Sequence, residues 1–149
     1  MNLLPERSLL AVATVVDVAM NARAAPVSAR ALSERHGLMP RHLETLLQEL
    51  VRAGILRGTR GPRGGYALAR ERRRITVGEI LRAAARVGEA DAKPRPRPSF
   101  VDAVVTPALR PAGDAFLAAL DGTTVADLCA RAEAMVPADR ADAGLDCAI

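Results

Sequence analysis

Apolar positions along this chain repeat mostly at helical spacing, with one short interruption of extended character. Pro5 stands where a helix opens, and Leu9, Leu10, Val12, Ala13, Val16, Ala19 and Met20 give that helix a broad apolar face through about Asn21. Asp17 falls opposite that face and is expected in solvent. Residues 22–27 read as a loop, after which Ser28 is placed to cap a short helix ending near His36, with Gly37 as its left-handed stop. Leu38 and Met39 form a turn. Pro40 then starts a helix in which Leu43, Leu46, Leu47 and Leu50 lie on one side at i, i+3, i+4 and i+7 spacing, ending before Gly54. Two short helices joined by a tight glycine turn make a helix-turn-helix pattern.

The periodicity then changes. Ile55 to Thr59 reads as a strand, Gly61-Pro62-Arg63-Gly64 as a turn and Gly65 to Leu68 as the returning strand, so the helix-turn-helix is followed by a hairpin wing. Thr76-Val77-Gly78-Glu79 is a capping box for a helix through about Arg86, with Ile80, Leu81 and Ala84 inward. Residues 88–98, polar and proline-alternating, read as a linker. Ser99 is placed to cap a further helix with an apolar stripe of Val101, Val104, Val105, Ala108, Leu109, Phe116, Leu117 and Leu120, which Pro107 and Pro111 are expected to kink or break. Asp121-Gly122 ends it, Thr124 with Asp127 restarts a helix through about Val136, and 137–149 reads as a frayed acidic tail. The pattern predicts an α-rich (α+β) chain: a winged helix-turn-helix over 1–87, a linker over 88–98, and a helical arm over 99–136.

Composition narrows the function classes. Half of the 149 residues are apolar but only 2% are aromatic and none is Trp, which favours close-packed helices over stacking platforms. No apolar run approaches the roughly 18–20 uncharged residues of a membrane span, and the start lacks a basic leader and cleavage motif, so a cytoplasmic protein is expected. The net charge of +4 matters less than its distribution. Residues 1–98 hold 18 Lys and Arg against 9 Asp and Glu (18 − 9 = +9), and residues 99–149 hold 3 against 8 (3 − 8 = −5). A basic front half suits a polyanion reader. Between Arg57 and Arg74 lie seven arginines opposed by Glu71 alone, a density costly unless phosphates neutralise it.

The helix that begins at Pro40 presents Arg41, Thr45, Gln48 and Arg52 opposite its leucines, flanked by His42 and Glu44. Such a face can read base edges: Arg forks onto guanine, Gln onto adenine, Glu accepts from the cytosine amino group and Thr touches a thymine methyl. An ordinary solvated face would look the same on this helix alone, and the wing shifts the balance. Gly61, Pro62 and Gly64 shape a tip that projects Arg60 and Arg63 toward a groove's negative potential. Candidate DNA contacts are therefore Arg41, His42, Glu44, Thr45, Gln48, Arg52, Arg60, Gly61, Pro62, Arg63 and Gly64. The glycines do not form a nucleotide-binding loop, since no Lys-Ser/Thr and no helix follow them. Paired carboxylates, a Ser/His/Asp set and metal-ligand spacing are all missing, so no enzyme is expected. Cys129 and Cys147 read as a buried small residue and an incidental tail thiol, and His36 as a helix-end residue.

The run from Leu32 to Arg70 followed by ITVGEILRAA resembles the Rrf-two family of bacterial winged-helix regulators, over about Leu9 to Val136. The most specific parts are Leu43-Glu44, Arg60-Gly61-Pro62 with Gly64-Gly65-Tyr66, Val77-Gly78-Glu79-Ile80, and Leu120 to Leu128. The resemblance implies a homodimer in which the helix after the linker crosses between subunits through Val101, Val104, Val105, Leu109, Phe116, Leu117 and Leu120. It implies that each recognition helix and wing reads one half of a palindromic double-stranded DNA operator, with Glu44 and Arg60 at the family's base and groove contacts. Sensing members place three cysteines between the capping-box helix and the dimer helix. The matching stretch here, Ala90 to Ala103, has neither Cys nor His, and Asp91 and Asp102 are poor ligands for soft metals, so no cluster or other cofactor is expected. The expected function is a cluster-free repressor acting by promoter occupancy. An interaction module that turns the same face to an acidic protein is the other reading.

Overall fold

The computed structural model describes residues 4–91 and 98–135. Helices α1 (Glu6–Asn21), α2 (Ala29–His36) and α3 (Pro40–Arg52) come first. Each boundary has a local cause. Pro5 precedes α1, Ser28 accepts the Ala31 N–H to cap α2, and Gly37 closes α2 at φ 61°. Pro40 opens α3 where its missing N–H costs nothing. The α3 leucines at 43, 46, 47 and 50 are buried with Ala11, Val15 and Val18 of α1 and Leu32 of α2. Truncating a core leucine such as Leu47 to Ala costs about 2–5 kcal/mol. Thr14 is buried too, and its hydroxyl is satisfied by the Leu10 carbonyl at 2.8 Å.

Strands β1 (Leu56–Thr59) and β2 (Gly65–Leu68) pair antiparallel, Leu56 opposite Leu68 and Thr59 opposite Gly65. The wing is anchored more firmly than a bare hairpin. Val27, placed by the sequence pattern in a loop, exchanges both backbone hydrogen bonds with Tyr66, at 2.9 and 2.8 Å. A Cβ on Gly65 would lie 2.4 Å from the Val27 carbonyl oxygen, so only glycine lets the two backbones approach. Asp17 also departs from expectation. Its side chain is only 9% exposed and holds Arg35 and His36, because the end of α2 folds back over α1 and supplies the partners a buried carboxylate needs.

Helix α4 (Val77–Asp91) starts at the expected capping box, with Thr76 and Glu79 bonded reciprocally. It continues past Arg86 to Asp91, into the stretch expected as linker, because Gly88 alone is a weak breaker and the first proline comes at Pro94. Residues 92–97 and 136–149, which hold the rest of that linker and the acidic tail, lie outside the described residues. The next helix begins with Ser99 already inside it rather than as its cap. Val101–Val105 form a widened π-helical turn, closed by the Thr106 N–H on the Val101 carbonyl, and α5 (Thr106–Asp121) follows. The prolines do not break it: the wide turn sits just ahead of Pro107, and Pro111 is carried inside α5.

Helix α6 (Val125–Met135), which follows the arm in sequence, packs against α1 and the 3-10 turn at Arg72–Arg74. Val125 and Cys129 are fully buried in the same core as α1 and α3, and paired backbone bonds (Val77 N–H to Thr123, Val125 N–H to Ile75, both 2.9 Å) fasten its start to the root of α4.

Candidate nucleic-acid interface

The inward leucines of α3 force its remaining positions outward, and the neighbours of those positions divide the polar face into three. Gln48 and Arg52, with Val51, face the wing across an open cleft of about 530 Å³ that Thr59, Arg60, Gly61 and Gly64 close from the other side. Glu44 lies on the α2 flank, in a concavity of about 370 Å³ with Ser33, Pro40 and Tyr66. His42 and Thr45 turn to the opposite flank, against α1 and α4, with Glu6, Arg7 and Val87. Arg41 is exposed at the centre of the face. Of the α3 residues expected to read DNA, Gln48 and Arg52 are the ones that meet the wing across this cleft.

The wing tip has the shape its glycines impose. Gly61 adopts φ 110°, the Gly64 N–H closes on the Gly61 carbonyl at 2.9 Å, and a Cβ on Gly64 would lie 2.2 Å from the Thr59 carbonyl oxygen. Pro62 and Arg63 are exposed at the tip and Arg60 beside them.

The seven arginines from 57 to 74 separate into two roles that sequence does not distinguish. Arg70 is structural: its guanidinium donates to the Gly54 and Arg74 carbonyls, both at 3.1 Å, and to Glu79 at 3.0 Å. Arg72 lies 3.9 Å from Glu133 on α6. Among the described residues, Arg57, Arg60, Arg63, Arg73 and Arg74 have no acidic partner, so the wing and the segment that follows it carry a concentrated, uncompensated positive charge. Arg52 is partly compensated by Glu49, one helical turn back on α3. Thr45 donates its hydroxyl hydrogen to the Arg41 carbonyl at 3.1 Å, within the helix.

The arm is the other exposed feature. No residue of α5 is buried. Phe100, Val104 and Leu109 are 63%, 50% and 64% exposed, and Val101, Val105, Phe116, Leu117 and Leu120 are half-buried along the same stretch. Phe100, Val104 and Leu109 thus leave apolar surface uncovered along the arm.

Metal-ligand chemistry is sparse. Among the described residues no three His, Cys, Asp or Glu side chains converge. Cys129 is buried, and burial pushes its thiol above the ordinary value although the Arg72 guanidinium pulls the other way. No helix among the described residues is long and apolar enough to cross a membrane.

Comparison with known proteins agrees with this geometry. Residues 4–131 match the family model described as "Rrf2: Iron-dependent Transcriptional regulator". The HTH-type transcriptional regulator IscR of Escherichia coli K12 is 39% identical over 80 residues, which cover 54% of this chain and 49% of that protein; the match thus spans about half the length of the curated relative. The solved structure of T. potens IscR superposes with a TM-score of 0.65 at 32% identity, covering 89% of this chain and 90% of that one. CymR (YrzC), the global cysteine regulator of B. subtilis, shares the fold at 24% identity with a TM-score of 0.63, covering 88% and 98%. The extent of the family match, and a solved relative aligned over nearly its whole length, establish that the chain belongs to the Rrf2 family of transcriptional regulators.

Proposed function

We propose that this chain is a dimeric, sequence-specific regulator that binds a palindromic double-stranded DNA operator and represses by occupying a promoter, without an iron–sulfur cluster. The observation that carries the reading is the cleft in which Gln48 and Arg52 of α3 face Arg60 and the wing tip. A strand of DNA following that cleft brings base edges to α3 and phosphates to the unpaired arginines. Affinity then comes mainly from arginine–phosphate pairs and specificity from α3. The exposed stripe from Phe100 to Leu109 supplies the dimer surface, and a two-fold dimer presents two such clefts to two half-sites.

The family description names iron, and the residues present do not fit a thiolate-held cluster. The chain has two cysteines; one is locked in the core on α6, and the stretch from Ala90 to Ala103 contains neither Cys nor His.

Fluorescence anisotropy on upstream-region DNA against random DNA at physiological salt tests the reading. Tight binding to a subset of fragments, lost together with dimerisation in Leu109→Asp, is expected. Equal, weak binding to all DNA would sink it and favour an acidic protein partner for the same face.

A further inference from the structure

The flank of α3 that carries His42 and Thr45 does not face the wing, and what it faces is a small site of its own. Leu10 of α1, Leu38 of the turn, Leu46 of α3 and Val87 of α4 form an apolar floor, and Glu6, Arg7, His42 and Thr45 form its rim. Its volume is about 230 Å³, room for a small molecule. The rim holds opposite charges side by side. Glu6 and Arg7 occupy the first turn of α1, and among the described residues neither is engaged in an ion pair. A carboxylate alone would be drawn to Arg7 but repelled by Glu6, and an amine alone the reverse. A molecule carrying both groups on one carbon, with an apolar branch for the leucine floor, satisfies all three surfaces at once.

We propose that this pocket binds a small zwitterion with an apolar side chain, an aliphatic α-amino acid, with Arg7 holding the carboxylate and Glu6 the ammonium. His42 and Thr45 tie the site to the DNA-reading helix. An occupant that engages His42 withdraws it from the operator, so ligand and operator weaken each other by the same factor. This second half rests on the DNA-reader reading, and the first does not.

Isothermal calorimetry of the full chain without DNA, with L-leucine as probe and glycine, isocaproate and isoamylamine as controls, tests the site itself. Saturable binding of leucine and not of the three controls is expected, weakened about tenfold or more in both Arg7→Gln and Glu6→Gln, as the loss of a charge-assisted hydrogen bond implies. Both substitutions lie on an exposed first turn, and circular dichroism verifies that each variant is folded. No leucine signal, or equal binding of the singly charged controls, overturns the proposal. So does a change in the monomer–dimer equilibrium of either variant without leucine binding, since a second copy would then fill the pocket. If leucine binds as expected but leaves operator affinity unchanged, the regulatory half fails. If leucine binds but no operator exists, the DNA reading fails and the site stands.

Discussion

Asp121, the last residue of α5, accepts hydrogen bonds from both terminal nitrogens of Arg82 on α4, at 2.8 and 2.7 Å, and a third from the Thr76 hydroxyl at 2.9 Å. The arm is thereby fixed to the first turn of the helix that follows the wing. The approach is closer than any side chain at position 78 would allow: a Cβ on Gly78 would sit 2.0 Å from Asp121 Oδ1 and 2.9 Å from the Leu117 backbone oxygen. The carboxylate is held by Arg82 and cannot swing away freely, and the backbone oxygen cannot yield at all without moving α5. Gly78→Ala is therefore expected to destabilise the fold by about 1–3 kcal/mol and to reorient the arm. Urea denaturation with sedimentation velocity checks both, and wild-type values in the two measurements would refute the close packing.

The same junction makes the fold sensitive to acid. Burial pushes the Glu79 carboxyl up, but the Thr76 N–H and the Arg70 guanidinium together bring it below the ordinary value. The Arg82 guanidinium and the Thr76 hydroxyl hold Asp121 below it, and the Thr124 hydroxyl and N–H do the same for Asp127. A carboxyl depressed in the folded state contributes stability that is present above its unfolded value, near about 4, and is lost as pH falls through its folded value. The melting temperature should thus hold from pH 7 to about 5 and fall below about 4, modestly for carboxylates this open to solvent. In Asp121→Asn the neutral-pH value should be lower and the acid limb shallower. An acid limb as steep as the wild type would remove Asp121 from this account.

What the sequence makes legible follows the range of the interactions. Ser28, the Thr76–Glu79 box and the Thr124–Asp127 box act within three residues, and all three appear where the pattern places them. The α3 leucine face is equally local. The Asp121–Arg82 pair spans 39 positions and the Val27–Tyr66 pair a comparable distance, and neither has a periodic signature. Asp17 reads as solvated because helical phase describes one helix, not the α2 end that folds over it. Likewise, phase puts Thr45 and Gln48 outward on α3 with His42 and Glu44 flanking them, but does not say which neighbour each meets, and so leaves Thr45 beside Gln48 although it turns to α1 and α4. Arg70 and Arg72 are absorbed by the fold, whereas their sequence neighbours are not, for the same reason.

The Val27–Tyr66 pairing gives the wing a root, and Gly65 is what permits it. Gly65→Ala would press a methyl group against the Val27 carbonyl, separating the two backbones and releasing a pair of hydrogen bonds. A destabilisation of about 1–3 kcal/mol is expected, with faster amide exchange at Val27 and Tyr66 than in the α1 and α3 core. Uniform exchange across the domain would show that the wing is held by other interactions.

Arginines of the two classes should behave differently on DNA. Replacing the unpartnered Arg60 and Arg63 by Ala should weaken binding and flatten the dependence of log affinity on log salt by about one unit for each phosphate no longer neutralised, with little change in melting temperature. Arg70→Ala should do the opposite, because it breaks bonds to Gly54, Arg74 and Glu79: the melting temperature falls while the salt slope of the folded protein is kept. An unchanged slope in the Arg60/Arg63 double variant would count against the wing as a phosphate-binding element.

Glu44 supplies the last separation, between affinity and specificity. It stands exposed on the α2 flank of α3, in the concavity with Pro40 and Tyr66, and is the one carboxylate of α3 free of an ion pair among the described residues, since Glu49 is held by Arg52. A carboxylate placed against a phosphate backbone only repels. Its favourable use at such an interface is to accept from the cytosine amino group in the major groove. Glu44→Ala should therefore relax preference at one base pair per half-site, by roughly 1–3 kcal/mol of discrimination, while binding to unrelated DNA stays equal or tightens slightly as a negative charge is removed. Affinities measured over a panel of operators substituted at single positions decide the matter. A weakening spread evenly over every sequence would mean that Glu44 supports the helix and reads no base.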